Sequence, residues 1–274
     1  MKERMKLPLR AGFLTLLLAV LLALTAAVCA EARWPEAPGS LKKDGKLQLD
    51  ANHVSEGYFT ASLQSANSHR MKLRVTKGDT TLTYDINSEG EFEVFPLQLG
   101  DGSYTVTLYE NVSGKKYASA GKLSLNVTLS EKDVCFLYPN QYVNYTPETE
   151  VVNIAEELCA GVSGMDIFKK IASYVTGGNY TYDFVKALTV KAGVLPDIEE
   201  CYKKKMGICQ DLSALMCCML RTQGVPARLT IGFADKNYHA WVEFRYEGDD
   251  HFYDPTLELN GIGKVKTYSV ERFY

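Results

Sequence analysis

The stretch "KKKMGICQDLSALMCCMLRTQGVPARL", residues 203–229, contains a complete amphipathic helix that has a cysteine at its start. Its apolar side chains recur at helical spacing: Leu212, Leu215, Met216, Met219 and Leu220. Such a stripe indicates a helix with one face against a core. Gly224 and Pro226 follow the last turn, as is common where a helix ends. The pattern therefore predicts a helix over residues 210–223, with Cys209 at its first turn or cap.

Cys209 is either a nucleophile or a small buried apolar residue. The helix dipole stabilises an anion at this end by about 0.3–1 kcal/mol, whereas one pKa unit corresponds to about 1.4 kcal/mol. The dipole alone therefore leaves a thiol mostly protonated at neutral pH, so a nucleophile here requires a histidine partner. Cys217 and Cys218 lie inside the helix and are interpreted as structural, because free cysteines are usually buried fillers.

Residues 237–256, "NYHAWVEFRYEGDDHFYDPT", predict a hairpin that carries a histidine and an aspartate. Because side chains alternate along a strand, a two-residue turn at residues 247–248 brings Asp254 to the face of His239, in the diagonal position. A four-residue loop would keep Asp254 on that face. Diagonal neighbours are within side-chain reach, so Asp254 could orient His239 through one ring nitrogen and leave the other for Cys209.

Each residue of this pair also has an ordinary structural explanation. The Asp-Pro step at Asp254 is a common turn at the end of a strand, and His239 can be a core histidine with its hydrogen bonds satisfied. His251 is the alternative base, since we expect it on the same strand face as Asp254, although it lies beside the acidic turn, where water solvates it. Sequence positions alone leave these alternatives open.

Three blocks of the sequence resemble the transglutaminase-like superfamily. "MGICQDLSALMCCMLRTQGVPARLTIGF" resembles its G-x-C block and the following helix that ends in G-[IV]-P-[AS]-R, "YHAWVEF" its H-A-W strand, and "FYDPT" its D-P-T strand end. The order and spacing of the blocks also agree, and the resemblance extends upstream to about residue 133. It implies a papain-like cysteine nucleophile fold in which Cys209 is the nucleophile, His239 the general base and acid, and Asp254 the residue that orients the histidine.

Two further expectations concern the oxyanion donors of the site and its metal content. The backbone N–H of Cys209 is expected to be one oxyanion donor, and Tyr182 in "YTYD" is the candidate for a side-chain donor. The calcium-binding segments of animal transglutaminases have no counterpart in the sequence, and neither a Cys-x-x-Cys pair nor a His-x-x-x-His spacing points to zinc. We therefore expect no metal and no cofactor.

Residues 1–30 are predicted to be a secretory signal. Basic residues precede an apolar run over residues 11–28, and small residues follow it, so cleavage is expected after Ala30. The run is long enough for an uncleaved membrane anchor, and lipidation at Cys29 is a third interpretation. The protein is therefore expected to be secreted or at the cell surface, or alternatively anchored in the membrane.

Behind this signal the sequence predicts three further segments. Residues 31–56 are rich in Pro, Gly and Lys and predict a linker or leading segment. Residues 57–132 contain short alternating strands between turn signals, which predicts a small all-β domain of the immunoglobulin-like sandwich type. Residues 133–274 combine helices with a later run of strands, among them "HFYDPTLEL" at residues 251–259. The expected fold class is therefore α+β, with a papain- or transglutaminase-like C-terminal domain.

Two functions follow from these features. The first is an exported thiol acyl-transfer enzyme that acts on a peptide or carboxamide. It would be a cysteine peptidase or amidase if it passed the acyl group to water, and a protein-glutamine transglutaminase if it passed the group to an amine. The expected partner is a peptide or protein substrate, such as a cell-wall peptide, and the net charge of −3 gives no reason to expect nucleic acid. The alternative is a non-catalytic surface binding or scaffold module with a degenerate fold, favoured if Cys209 is buried or bonded to Cys201.

Overall fold

The computed structural model describes residues 32–261 and 265–274. The predicted secretory signal, residues 1–30, lies outside the described residues and stays a prediction. Within the described ranges, no helix combines the length and the apolar character needed to cross a membrane.

The N-terminal part of the described chain is built from strands in two antiparallel sheets. In chain order the strands are β1 (Leu41–Asp44), β2 (Leu47–Asp50), β3 (Tyr58–Leu63), β4 (Met71–Lys77), β5 (Thr80–Ile86), β6 (Glu93–Pro96), β7 (Gly102–Ser113) and β8 (Lys116–Val127). The first sheet has the order β1-β2-β3-β6 and the second the order β5-β4-β7-β8. Leu73 of β4 pairs with Leu108 of β7, and both are fully buried, because alternate side chains of each strand point into the core.

A hairpin formed by β1 and β2, residues 41–50, lies within the segment predicted to be a linker, residues 31–56. β1 and β2 are joined at Gly45, which has a φ of +53°, a left-handed conformation that favours glycine. Leu47 and Leu49 of β2 are fully buried, so this segment contributes to the core. The linker prediction is wrong for this hairpin. It was based on the Pro, Gly and Lys content, whereas the Asp44-Gly45 turn signal and the alternating leucines Leu47 and Leu49 favour a hairpin.

The C-terminal part combines helices and strands around one long helix. Its helices are α1 (Glu150–Cys159), α2 (Met165–Thr176), α3 (Phe184–Thr189), α4 (Ile198–Lys204), α5 (Cys209–Thr222) and α6 (Pro255–Asn260). Its strands are β9 (Thr181–Tyr182), β10 (Met206–Gly207), β11 (Ala227–Ala234), β12 (Asn237–Tyr246), β13 (Asp249–Tyr253) and β14 (Tyr268–Phe273). The last four form an antiparallel sheet of order β13-β12-β11-β14, and β9 and β10 form a parallel pair. The expected mixture of helices and strands with a β-rich N-terminal region is confirmed.

The central helix of this part is α5, which confirms the helix predicted over residues 210–223. Every residue over 211–222 is buried, so the helix is enclosed on all sides rather than on one face only. It packs against β11, β12, α1, α2 and α4. Cys217 and Cys218 are fully buried, and burial raises the pKa of the Cys217 thiol to about 12. Both cysteines fill the core as small apolar side chains.

Near the end of α5, Arg221 is fully buried and is hydrogen-bonded to three backbone carbonyls. Its Nε donates to Ala227 O at 2.7 Å, its Nη1 to Tyr138 O at 2.7 Å, and its Nη2 to Tyr274 O at 2.8 Å. These carbonyls belong to the start of β11, to the residue after the 3-10 helix Val134–Leu137, and to the residue after β14. One guanidinium thus joins three separate segments around the helix.

A short helix, α6, replaces part of the strand predicted for residues 251–259. β13 ends at Tyr253, and α6 begins at Pro255. Asp254 is the N-cap, and its side chain accepts the backbone N–H groups of Thr256 and Leu257. Asp at the cap followed by Pro in the first helical position is a common helix start. This signal outweighs the strand-like character of the residues before it.

Candidate active site

Cys209 is the first residue of α5, and its side chain is partly exposed. It lines a cleft of about 390 Å³ together with Tyr182 and His239. Cys201 and Cys209 both carry free thiols, and only the former is buried. The thiol of Cys209 is therefore open to the cleft at the N-terminus of the helix.

The hairpin of β12 and β13 carries the histidine and the aspartate. Tyr246 pairs with Asp249 across the turn, so the hairpin has the two-residue turn at residues 247–248 and not the four-residue loop. This register brings His239 and Asp254 together, with His239 Nε2 at 2.7 Å from Asp254 Oδ2. Both side chains are shielded from water, since only 11% of the His239 side chain and 4% of the Asp254 side chain are exposed.

The carboxylate of Asp254 is held by hydrogen bonds on both oxygens. Its Oδ1 accepts the backbone N–H groups of Thr256 at 3.0 Å and Leu257 at 3.1 Å. Its Oδ2 accepts the hydroxyl of Tyr268 at 2.8 Å in addition to its bond with the His239 ring. These contacts fix the orientation of the carboxylate and supply the partners that a buried charge needs. Tyr268 was not predicted, because it lies on β14, a strand that no sequence motif connects with the hairpin.

The His239 ring is hydrogen-bonded to Asp254 and lies beside the Cys209 side chain, with which it interacts. Burial favours the neutral ring and by itself lowers the pKa of His239, but the hydrogen bonds to Asp254 and Cys209 and the charges of both groups more than reverse this effect. The pKa of His239 is therefore raised from its ordinary 6.5 to about 9. The ring is an imidazolium at neutral pH, which is the partner that a reactive thiolate needs.

We expect the stabilisation that Asp254 provides through His239 to decline at alkaline pH. Because the pKa of His239 is about 9 in the folded protein and 6.5 ordinarily, its contribution to the free energy of unfolding is complete below the lower value and is lost as the pH rises through the higher one. The difference in that free energy between wild type and Asp254→Asn should shrink over this range, as measured by urea unfolding. Asp85→Asn, which breaks an exposed pair with Arg70, is the control and should show a constant difference. A constant difference for Asp254→Asn as well would contradict the prediction.

Tyr182 lies at the end of β9, beside Cys209. β9 pairs with β10 so that Tyr182 is opposite Gly207, two residues before the cysteine. Burial raises the pKa of Tyr182 to about 12; the charge of the Cys209 side chain adds to this rise, and the Cys209 backbone N–H, which donates to the hydroxyl, opposes it. The phenol is thus neutral at physiological pH and able to donate a hydrogen bond in the cleft.

Asp211 and Lys186, which were not predicted, hold the N-terminus of α5 in place. Asp211 is fully buried in the first turn of the helix. Its Oδ2 accepts the Ile208 N–H at 3.0 Å and lies 2.7 Å from Lys186 Nζ, and its Oδ1 accepts the Asp197 N–H at 3.3 Å. The carboxylate thus ties α3 and the start of α4 to the turn that carries the cysteine. Acidic residues are common in first helical turns, so the sequence held no signal that this one is buried.

His251 is not part of this site, and the prediction that it shares the face of Asp254 is wrong. It pairs with Phe244 across the hairpin and stacks on that ring, with the two centroids 5.0 Å apart. Side chains alternate along a strand, so residues three apart point to opposite faces. His251 lines a different cleft, together with Asp250 and Phe252.

The walls of the cleft come from two parts of the fold. The segment after α3 supplies Val190, Lys191 and Val194, and the sheet supplies Tyr238 and Arg272 among others. Small apolar and aromatic side chains with a few polar groups are typical of sites that bind organic ligands. Within residues 32–261 and 265–274, no group of three or more His, Cys, Asp or Glu side chains is arranged to hold a metal ion.

Residues 154–253 match the family model of the transglutaminase-like superfamily. This segment is a transglutaminase-like domain. It includes Cys209 and His239 and ends one residue before Asp254. Comparison of the chain with curated protein sequences finds no match.

Comparison with solved structures finds similar chains at low sequence identity, and three of them are described here. A proposed cysteine protease from Cytophaga hutchinsonii is 14% identical, with a TM-score of 0.40, over 76% of this chain and 74% of that chain. The periplasmic domain of TgpA from Pseudomonas aeruginosa bound to ethylmercury is 15% identical, with a TM-score of 0.37, over 83% of this chain and 78% of that chain. Red sea bream transglutaminase is 15% identical, with a TM-score of 0.31, and the match covers 73% of this chain and 48% of that chain.

Proposed function

We propose that this protein is a thiol acyl-transfer enzyme in which Cys209, His239 and Asp254 form a catalytic triad. The observation that carries the proposal is the position of His239, whose ring is hydrogen-bonded to the buried Asp254 carboxylate at 2.7 Å and interacts with the partly exposed Cys209 side chain in the same cleft. A cysteine at a helix N-terminus beside an imidazolium is the setting in which a thiolate forms and attacks a carbonyl. The match of residues 154–253 to the transglutaminase-like superfamily supports the same assignment.

In the first half-reaction, the Cys209 thiolate attacks the carbonyl carbon of a peptide or carboxamide, and a carbon–sulfur bond forms. The carbonyl oxygen becomes an oxyanion, which would replace the Tyr182 hydroxyl as acceptor of the Cys209 backbone N–H and would also accept a hydrogen bond from that hydroxyl. The His239 imidazolium then donates its proton to the leaving nitrogen, the carbon–nitrogen bond breaks, and an amine or ammonia departs. The acyl group remains on Cys209 as a thioester.

In the second half-reaction, neutral His239 removes a proton from water or from a primary amine, whose oxygen or nitrogen attacks the thioester. The sulfur of Cys209 leaves as a thiolate, and the ring is again an imidazolium. Water yields a carboxylic acid, which is peptidase or amidase activity, and an amine yields a new amide, which is transglutaminase activity. Asp254 keeps its charge throughout and holds the ring in one orientation.

We also propose that the enzyme acts outside the cytoplasm on peptides or proteins of the cell surface, such as cell-wall peptides. The basic residues and the apolar run within residues 1–30 support export, either as a secreted protein or with a membrane anchor. The β-rich N-terminal region, with its two four-stranded sheets, is proposed to be an immunoglobulin-like sandwich.

Cys209 is expected to react with iodoacetamide faster than Cys217 or Cys218, because those two thiols are fully buried and the Cys209 thiol is open to the cleft. His239→Ala should slow the labelling of Cys209 by about tenfold or more, since the thiolate is the reactive form and an adjacent imidazolium stabilises it. Mass spectrometry of peptides sampled over time measures the modification of each cysteine.

The matched control is His251→Ala, which removes a histidine from the opposite face of the same hairpin and should leave the labelling of Cys209 unchanged. Circular dichroism checks that both histidine variants remain folded. Equal labelling of Cys209 in wild type and in His239→Ala would contradict the proposed triad.

A further inference from the structure

The cleft beside Cys209 carries positive charge that no carboxylate of the described chain neutralises. Two cationic side chains line it: Lys191, which follows α3, and Arg272 of β14. No Asp or Glu is among the lining residues in the part of the chain that the structure describes. Across residues 32–261 and 265–274, neither cation forms an ion pair. The cleft therefore attracts anions.

Arg272 lies two strands away from His239 in the same sheet. It pairs with Ile231 of β11, and Ile231 pairs with Ala240, the neighbour of His239 on β12. Adjacent strands lie about 4.8 Å apart, so the backbone of Arg272 is roughly two such spacings, about 10 Å, from that of Ala240. Residues paired across a sheet project from the same face, so Arg272 shares its face with Ile231 and Ala240, and all three line the cleft into which Cys209 opens.

The Arg272 guanidinium contacts the neutral side chain of Tyr238 at the cleft. Its Nη2 donates to the hydroxyl of Tyr238, and its Cζ lies 6.0 Å from the centroid of the Tyr238 ring. Tyr238 is itself 53% exposed and lines the cleft. Because a guanidinium has several N–H donors in a planar fork, one bond to a hydroxyl leaves donors available for an anion.

Two other arginines of the same sheet are neutralised by carboxylates. Arg228 of β11 forms a salt bridge with Glu243, and Arg245 of β12 forms salt bridges with Asp133 and Asp250. Arg272 differs from both, since it contacts an aromatic hydroxyl and ring instead of a carboxylate. The Arg272 guanidinium is therefore available to bind an anionic ligand. A carboxylate suits it well, because its two oxygens can accept two parallel N–H···O bonds from the planar guanidinium.

We propose that Arg272, with Lys191 adding to the local positive potential, binds a carboxylate of the acyl donor. The substrate class is then a peptide or carboxamide that carries an acidic side chain or a free carboxylate close to the carbonyl that Cys209 attacks. A bidentate pair between Arg272 and this carboxylate fixes the orientation of the substrate in the cleft. The inference rests on the proposed function, because it names the substrate class of the same site.

Two alkylating reagents that differ in charge test this inference, since iodoacetate is an anion and iodoacetamide is neutral. We expect Arg272→Gln to lower the ratio of the iodoacetate rate to the iodoacetamide rate at Cys209 by about three- to tenfold, the effect of losing a partly exposed charge pair. Lys115→Gln removes the same charge from the exposed turn between β7 and β8. It is the matched control and should leave the ratio unchanged.

Peptide amides that differ only in Glu or Gln beside the attacked carbonyl provide a second measurement. Wild type should favour the Glu peptide in kcat/KM by about three- to tenfold, and Arg272→Gln should lose this preference. The same rate ratio and the same peptide preference in wild type, Arg272→Gln and Lys115→Gln would overturn the carboxylate site and leave the thiol enzyme intact. If iodoacetamide labels Cys209 no faster than the buried Cys217, the proposed function is overturned. The inference about Arg272 is then overturned as well, because it rests on that function.

Discussion

Cys209→Ala should lower the rate of acyl transfer by at least about 10⁴-fold, because it removes the atom that forms the thioester. The His239–Asp254 pair and the oxyanion donors that remain can bind a substrate but cannot form the covalent intermediate. Release of ammonia or of an amine from a peptide carboxamide measures the rate, with and without a primary amine as acyl acceptor. The products that wild type forms in the two assays also separate hydrolysis from transamidation.

Measurements of stability distinguish a lost nucleophile from a lost fold. Since Cys209 is partly exposed at the first residue of α5, its substitution by alanine should change the free energy of unfolding by less than about 1 kcal/mol. Cys217→Ala is the matched control: it opens space in the core and should lower the free energy of unfolding by about 1 kcal/mol or more, but the folded molecules should stay active. A Cys209→Ala variant that keeps a substantial fraction of wild-type activity would contradict the proposed mechanism.

Arg221→Met should lower the free energy of unfolding by about 3–5 kcal/mol. The substitution removes the donors to the carbonyls of Ala227, Tyr138 and Tyr274, and these oxygens would stay buried without their charged partner. Methionine is also a long, flexible side chain that fills much of the same space, so the loss reflects hydrogen bonding more than a cavity. Urea unfolding followed by tyrosine and tryptophan fluorescence measures the change.

The control for Arg221→Met is Arg70→Met, which breaks an exposed pair with Asp85 and should lower the free energy of unfolding by less than about 1 kcal/mol. Arg221→Lys keeps a positive charge but lacks the planar fork that reaches three separate carbonyls, so it should recover only part of the lost stability. An Arg221→Met variant no less stable than Arg70→Met would mean that the guanidinium does not join the three segments.

The contact between His239 and Asp254 was predictable from sequence because it depends on local geometry. The two residues are 15 positions apart, and a two-residue turn fixes the register of the hairpin between them. The same alternation places His251 on the opposite face of the hairpin. The helix that begins at Cys209 was predictable for a similar reason, since its apolar spacing and its stop signals lie within one short stretch.

Other contacts of the site join segments that are far apart in the sequence. Tyr268 reaches Asp254 from β14, and Lys186 reaches the buried Asp211 from α3. From sequence, Arg221 is an ordinary cation in the last turn of a helix, yet its guanidinium is fully buried among carbonyls. Burial and partners of such residues depend on which elements pack together, and residue type alone does not encode that.

The sequence by itself determined the helix that carries Cys209, the hairpin that carries His239 and Asp254, and the resemblance to one superfamily. It could do so because helical periodicity, strand alternation and turn geometry act over a few residues. Only the tertiary structure decided that Tyr182 lies beside the cysteine through the pairing of β9 with β10, and that Arg272 lies in the same cleft with Tyr238, and no carboxylate of the described residues, as its partner. Those two outcomes depend on strands and helices from distant parts of the chain, whose packing sets each side chain's neighbours and its access to water.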